Sequence, residues 1–397
     1  MRFLSQFYLI LIVFSIALFK HLSISHGLEI LKPITIVLYV FAIYWSITII
    51  NKYSNFVNWK RVKPMLVIFL IYPFIRLVID VILVNSFVFK HLTDAFYVRF
   101  QYYVLFLIGL SQAIIIVNKD NFFKGFIKAY WIIFASLLGL FITLFNYTSF
   151  GDVYFLLENL LVPFSFLVFH KTKNYRRIGY INLAIGIILV SVLASRSYLL
   201  VFIYILAFLG YIKLYKEKDK FKKTGRALFI FLILLVLFNS PLLTNLQETP
   251  LYEKINIESL YESLSGEQSL IEEDYKGDSR SRIIKDAFHN FNIGNIIFGK
   301  GIFGQYKSFV ERNTIEIGWL QQAFWFGFVF VLFQIYFYFR SMKLNLKQKK
   351  EHLFVFGIII SVKFLDSFIY GMPNMSLYNL FVAIGMFTPF IKRIYVN

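Results

Sequence analysis

Cysteine is absent from the 397 residues, which excludes disulfides, cysteine metal sites and thiol nucleophiles. Charged residues are scarce, at 16% of the chain, while 58% is hydrophobic and 20% aromatic. With a mean hydropathy of +0.67, the chain is too apolar for a soluble globular protein and reads as an integral membrane protein. Segments of about ten residues with alternating hydrophobicity are missing, which excludes a transmembrane barrel. Met1 to Phe19 lacks a small-residue cleavage site, so it reads as a first span and not as a signal peptide. The outer loops hold no clustered set of His, Asp and Glu, so neither a metal nor another cofactor is expected.

What the chain does have is apolar runs of roughly 17 to 24 residues, each long enough to cross a hydrocarbon core as a helix. About twelve such spans are expected, near 3–19, 30–50, 62–84, 98–117, 126–146, 154–170, 178–194, 196–213, 227–243, 316–339, 353–370 and 377–394. The fold class is therefore all-α and polytopic. Three regions follow: helices over 1–243, one large loop over 244–315, and helices over 316–397.

The net charge of +19 could suggest nucleic acid, but its distribution suggests bilayer topology instead. Lysines and arginines collect in alternate loops: at Lys52, Lys60, Arg61 and Lys63; at Lys119, Lys124 and Lys128; at Lys171, Lys173, Arg176 and Arg177; between Lys213 and Arg226; between Arg340 and Lys350; and at Lys392 and Arg393. The positive-inside rule makes these loops cytoplasmic, places both termini inside and puts 244–315 outside. Membrane lipids are then the expected surroundings, and nucleic acid is not an expected partner.

Within the outer loop, SRSRIIKDAFHNF (279 to 291) carries a helical apolar stripe. Arg280, Ile283, Ile284, Ala287, Phe288 and Phe291 share one face, while Arg282, Lys285, Asp286 and His289 lie opposite. An amphipathic helix lying on the membrane or bundle is expected, with Arg280 pointing in and Arg282 towards water. Gly299, Gly301 and Gly304 in FGKGIFG permit a tight turn back to the membrane.

Ionisable groups in or beside spans are costly and mark candidate sites. Arg196 follows Ser195, a plausible N-cap, at the outward N-terminus of a helix whose dipole already favours anions. A bound anion explains that arginine; snorkelling to headgroups is the alternative. Arg99 opens the fourth span with the same polarity. Arg76 and Asp80, four residues apart on the third span, read as a structural ion pair or as part of an acidic-substrate site. Lys363 and Asp366 read as structural, and Glu158 is isolated in the sixth span. Glu316 heads the tenth span on one face with Trp319, Leu320, Ala323 and Gly327, a stripe suited to close helix packing. Its carboxylate reads as an acceptor of a hydroxyl proton or as a counter-ion for an arginine.

In this order the parts resemble the Wzy-type O-antigen polymerases and the related O-antigen ligases, bacterial membrane glycosyltransferases of the GT-C class. The resemblance covers the hydropathy profile and the motifs Ser195-Arg196, Arg280 seven residues before Ala287, and Phe298-Gly299-Lys300-Gly301. Where ligases carry a histidine four residues before a leucine, this chain has Glu316 before Leu320, which favours a polymerase. The resemblance implies a GT-C-like fold in the bacterial inner membrane. It also implies a donor glycan on undecaprenyl diphosphate, release of that lipid diphosphate at the outer face, and a chain-length regulator protein as a possible partner. Fixed guanidiniums suit the charge that develops on the leaving group. Arg196 and Arg280 are expected to hold the diphosphate, with Ser195, Arg282, Arg76 and Arg99 as lesser contacts and Glu316 orienting or deprotonating the acceptor hydroxyl. The alternatives are a ligase of the same family and, from another class, a polysaccharide flippase or ion-coupled carrier. The halves show no internal repeat and no paired broken helices, which weighs against a carrier. A non-catalytic scaffold would tolerate alanine at both Arg196 and Arg280.

Overall fold

The computed structural model describes residues 4–83, 101–118, 122–143, 150–192, 196–216, 292–301, 306–307, 311–312, 318–348, 351–368 and 374–392. Nearly all of them are helical. The helices are α1 (Leu4–Ser25), α2 (Leu31–Lys52), α3 (Trp59–Leu66), α4 (Tyr72–Leu83), α5 (Gln101–Asn118) and α6 (Phe122–Thr143). There follow α7 (Phe150–Leu156), α8 (Val162–Ser165), α9 (Lys173–Val192), α10 (Arg196–Lys216), the short α11 (Ile293–Phe298), α12 (Gly318–Phe326), α13 (Phe328–Leu346), α14 (Glu351–Asp366) and α15 (Leu377–Phe387). The one ladder among the described residues is a two-residue antiparallel pair, β1 (Tyr306–Lys307) with β2 (Glu311–Arg312). Wide π turns at Val67–Ile71 and Leu157–Leu161 join α3 to α4 and α7 to α8.

Among the described residues, three stretches are long and apolar enough to cross a membrane: Leu31–Lys52, Trp59–Ile82 and Gly151–Phe169. Shorter apolar helices include Leu9–Ser25, Gln101–Val117, Ile127–Leu140, Tyr198–Ile212 and Leu377–Phe390. A helix lies over every expected span except 227–243, which falls outside the described residues. The distribution of polarity fits a lipid solvent. Large apolar side chains face outward, for example Val37, Val40 and Tyr44 on α2 and Phe74, Ile75 and Val78 on α4, whereas Gln112, Asn159, Asn182, Gln321, Gln334 and Lys363 are buried.

α15 is buried along its whole length and lies against α5 and α14. Small residues let it approach. A Cβ on Gly109 of α5 would lie 2.7 Å from Ala383, and one on Gly385 would lie 3.0 Å from Ile360. Polar side chains tie its far end, since Asn345 Nδ2 donates to the Gly385 carbonyl at 2.7 Å and Ser341 Oγ to that of Met386 at 2.9 Å. At the same end Asn58 N–H donates to the Phe390 carbonyl and Lys392 N–H to that of Phe56. The basic residues Lys60, Arg61, Lys343 and Lys392 thus gather at one end of the bundle.

The tenth expected span is corrected. A continuous helix over 316–339 would separate residues 319 and 338 by about 28 Å, yet the Trp319 and Tyr338 rings are 5.3 Å apart. The chain reverses at Gly327, so α12 and α13 form a helical hairpin. Gly327 has φ +92°, and the place a Cβ would occupy there is taken by the Ile297 carbonyl. Its role is therefore a reversal and a close approach to the preceding loop, not a small position along one packing stripe.

Candidate functional site

Around Glu158 the first turns of two helices meet. Glu158 belongs to the π turn after α7, and its carboxylate accepts hydrogen bonds from the Tyr198 hydroxyl and the Asn374 amide. Tyr198 stands in the first turn of α10, two residues after Arg196. Asn374 precedes α15, whose N-cap Ser376 accepts from Asn379 N–H at 3.3 Å, while Asn159 Oδ1 accepts from Leu377 N–H at 3.0 Å. Glu158 is therefore not isolated, as the sequence suggested. Its partners lie 40 and 216 residues away and are joined to it only by folding. π turns recur at functional sites because the extra residue redirects a side chain, and this one carries both Glu158 and Asn159.

Lys363 and Asp366 close one side of this cluster. They form a buried ion pair at 3.5 Å, the Lys363 ammonium lies 5.2 Å from the Tyr378 ring centroid, and both charges are within electrostatic reach of Glu158. Lys20 of α1 also reaches Glu158 electrostatically. The hairpin helix α12 begins here as well, since Trp319 N–H donates to the Ser367 carbonyl at 3.1 Å and its indole Nε1 donates to that of Phe364 at 3.4 Å. Three helix N-termini, those of α10, α12 and α15, thus open onto one buried polar centre that contains a lysine. The dipoles of such termini favour negative charge, here the Glu158 carboxylate, and the first-turn N–H groups of Trp319, Leu377 and Asn379 are taken by Ser367, Asn159 and Ser376.

The other end of α12 is held by the glycine turn. After the break at Gly327 the last carbonyls of α12 need donors. Lys300 N–H supplies Phe324 at 2.7 Å, Gly301 N–H supplies Trp325 at 3.1 Å, and the Tyr72 hydroxyl supplies Phe326 at 3.1 Å. Gly299 and Gly301 have φ +74° and +89°, as the expected tight turn requires. Partial burial lowers the Lys300 ammonium below the ordinary lysine pKa. A Cβ on Gly301 would lie 2.5 Å from the Asp80 carboxylate, and one on Gly299 would strike the Trp325 carbonyl. Arg76 Nε pairs with Asp80 Oδ1 at 2.9 Å, while its Nη2 reaches towards the Gly299 carbonyl at 3.5 Å. The Arg76–Asp80 pair therefore seats the Gly299-Lys300-Gly301 turn.

Of the residues singled out in the sequence, the structure gives a side-chain setting to Arg76, Asp80, Glu158, Lys363 and Asp366. Arg196 is described in its backbone alone, as the first residue of α10. Ser195, Arg99, Arg280, Arg282 and Glu316, together with the amphipathic stripe at 280–291, lie outside the described residues. Tyr198 and Asn374 were missed. The signal available was Asn374 and Ser376 ahead of the apolar run 377–387, an N-cap pattern with an extra amide.

A second cluster was also missed. His21 and His26, at the end of α1, meet Asp152 of α7, and the three could together hold a metal ion. No single loop of the sequence holds the set: its members are up to 131 residues apart, and only the packing of α1 against α7 brings them together. Comparison with protein-family models, with curated protein sequences and with solved structures finds no match to this chain.

Proposed function

We propose that this protein is a polysaccharide polymerase of the O-antigen type, a GT-C-like enzyme of about twelve membrane helices. In this reading it sits in the bacterial inner membrane with both termini cytoplasmic. It joins oligosaccharide repeat units carried on undecaprenyl diphosphate, and the large loop over 244–315 roofs the site on the outer face.

The observation that carries the reading is the convergence of three helix N-termini, one opening with Arg196, on the polar centre around Glu158 and Lys363. A diphosphate leaving group needs cationic and N–H donors already in place, because charge grows on it as the glycosidic bond breaks. Arg196 and Arg280 clamp the diphosphate, and Ser195, Arg282 and Arg99 contribute around it, while Arg76, at the other end of α12, holds the glycine turn. Glu316, two residues before α12, orients or deprotonates the acceptor hydroxyl. The lipid tail lies between helices, and the apolar outer faces of α2 and α4 suit that solvent.

The test is a glycan ladder from a deletion strain complemented with variants. Arg196→Ala and Arg280→Ala each abolish chain lengthening at unchanged protein level, leaving single repeats on the acceptor, and Arg282→Ala is milder. Normal long chains in either of the first two variants remove the clamp. Polymer stranded on the lipid carrier would indicate a ligase, and no repeat on the acceptor a flippase.

A further inference from the structure

We infer that His21, His26 and Asp152 form a binding site for a divalent transition-metal ion of the zinc class. Nε2 of His21 lies 2.6 Å and Nε2 of His26 lies 2.7 Å from the same oxygen, Oδ1 of Asp152. All three ligand atoms lie within 4.8 Å of one another. Two imidazole nitrogens aimed at one carboxylate oxygen leave a single point between them. Ligand atoms around a tetrahedral zinc ion lie about 3.3 Å apart, given bonds of about 2.0 to 2.1 Å. Opening the two N···O contacts by about 0.6 to 0.7 Å brings each to that spacing, with the metal replacing the shared protons.

The surroundings are those of a built site. His21 and His26 side chains are 11% and 12% exposed and Asp152 is 2% exposed, so the carboxylate is buried and the two imidazoles are largely shielded. His21 is held on both sides. Its ring stacks on Phe155 with centroids 4.7 Å apart, and its Nδ1 is 3.3 Å from Ser25 Oγ, an outer-shell hydroxyl that leaves Nε2 for the metal. The His26 ring stands edge-on to that of His21 at 5.8 Å. Two nitrogens and one carboxylate oxygen suit zinc, cobalt, nickel or ferrous iron; magnesium and calcium want all-oxygen shells, and cuprous copper wants thiolates.

Bound there, the ion staples the last turn of α1 to the start of α7, the helix that leads into the Glu158 turn. The site does not depend on the function proposed above, because binding alone reads it.

The test uses full-length, tag-free protein in detergent, stripped with chelator and titrated with Co²⁺ followed by Zn²⁺. One equivalent binds per chain, Co²⁺ gives visible d–d bands, and Zn²⁺ displaces it. His26→Ala and Asp152→Asn each weaken binding by about tenfold or more, whereas His170→Ala, outside the cluster, leaves it unchanged. If the variants do not fold, the wild-type Co²⁺ spectrum still decides. Absent bands mean a hydrogen-bonded trio without metal and overturn the inference, as does one-equivalent binding unaltered in folded His26→Ala and Asp152→Asn.

Discussion

Arg76 and Asp80 illustrate how a charge inside the bundle is held. Their side chains are 18% and 6% exposed, and the pair both neutralises itself and seats the glycine turn. Asp80→Ala leaves a buried guanidinium without its carboxylate, which costs about 3 to 5 kcal/mol. Thermal unfolding in detergent should show that loss. The double variant Arg76→Met, Asp80→Leu should recover most of it, because an apolar pair of similar volume avoids the desolvation of both charges. If the double variant is stable yet inactive, Arg76 contacts substrate; if it is stable and active, the pair is structural. This pair was legible in the sequence, since i, i+4 spacing on one helix face is a local property. Glu158 was not, because Tyr198 and Asn374 reach it from distant helices and no spacing rule joins them. His21, His26 and Asp152 were hidden for the same reason.

At the scale of elements, the α12–α13 hairpin is the feature that sequence patterning misread. Residues 318 to 346 are apolar almost throughout, so periodicity indicates one long span, and only the Gly327 backbone marks the reversal. The glycine turn was legible at Gly299 and Gly301, because glycine tolerates positive φ, while Gly304 lies outside the described residues; the docking of the turn on the carbonyls of α12 was not readable. Gly327→Ala must accept a φ of +92° and displace the Ile297 carbonyl, so it should cost well over about 1 to 2 kcal/mol. Gly27→Ala is the control: its φ is +67°, but nothing lies within 4 Å, so only the backbone term of about 1 to 2 kcal/mol applies. Comparing the two melting curves separates backbone strain from loss of the hairpin contact. Equal losses would mean that the Ile297 contact contributes nothing.

At the scale of the whole molecule, the packing gathers basic helix ends at one pole, and α12 runs between the polar centre at its start and the glycine turn at its end. The fold class and most helix positions were legible because apolar length is an averaged property that survives local error. The proposed orientation can be tested on a chain without native cysteines. Single cysteines at exposed Ile293 and Lys173 should be labelled by a membrane-impermeant maleimide from opposite faces, Ile293→Cys in intact spheroplasts and Lys173→Cys after permeabilisation only. Labelling of both from one face would undo the topology and with it the outer location of the site.

The most direct test of the proposed diphosphate clamp is extension of a defined repeat unit on undecaprenyl diphosphate by the purified protein, followed by mass spectrometry. Wild-type protein should yield a ladder of joined repeats with release of the lipid diphosphate, and Arg196→Ala should yield none while keeping its melting temperature. A full ladder from folded Arg196→Ala, or none from the wild type with donor and acceptor present, would contradict the account.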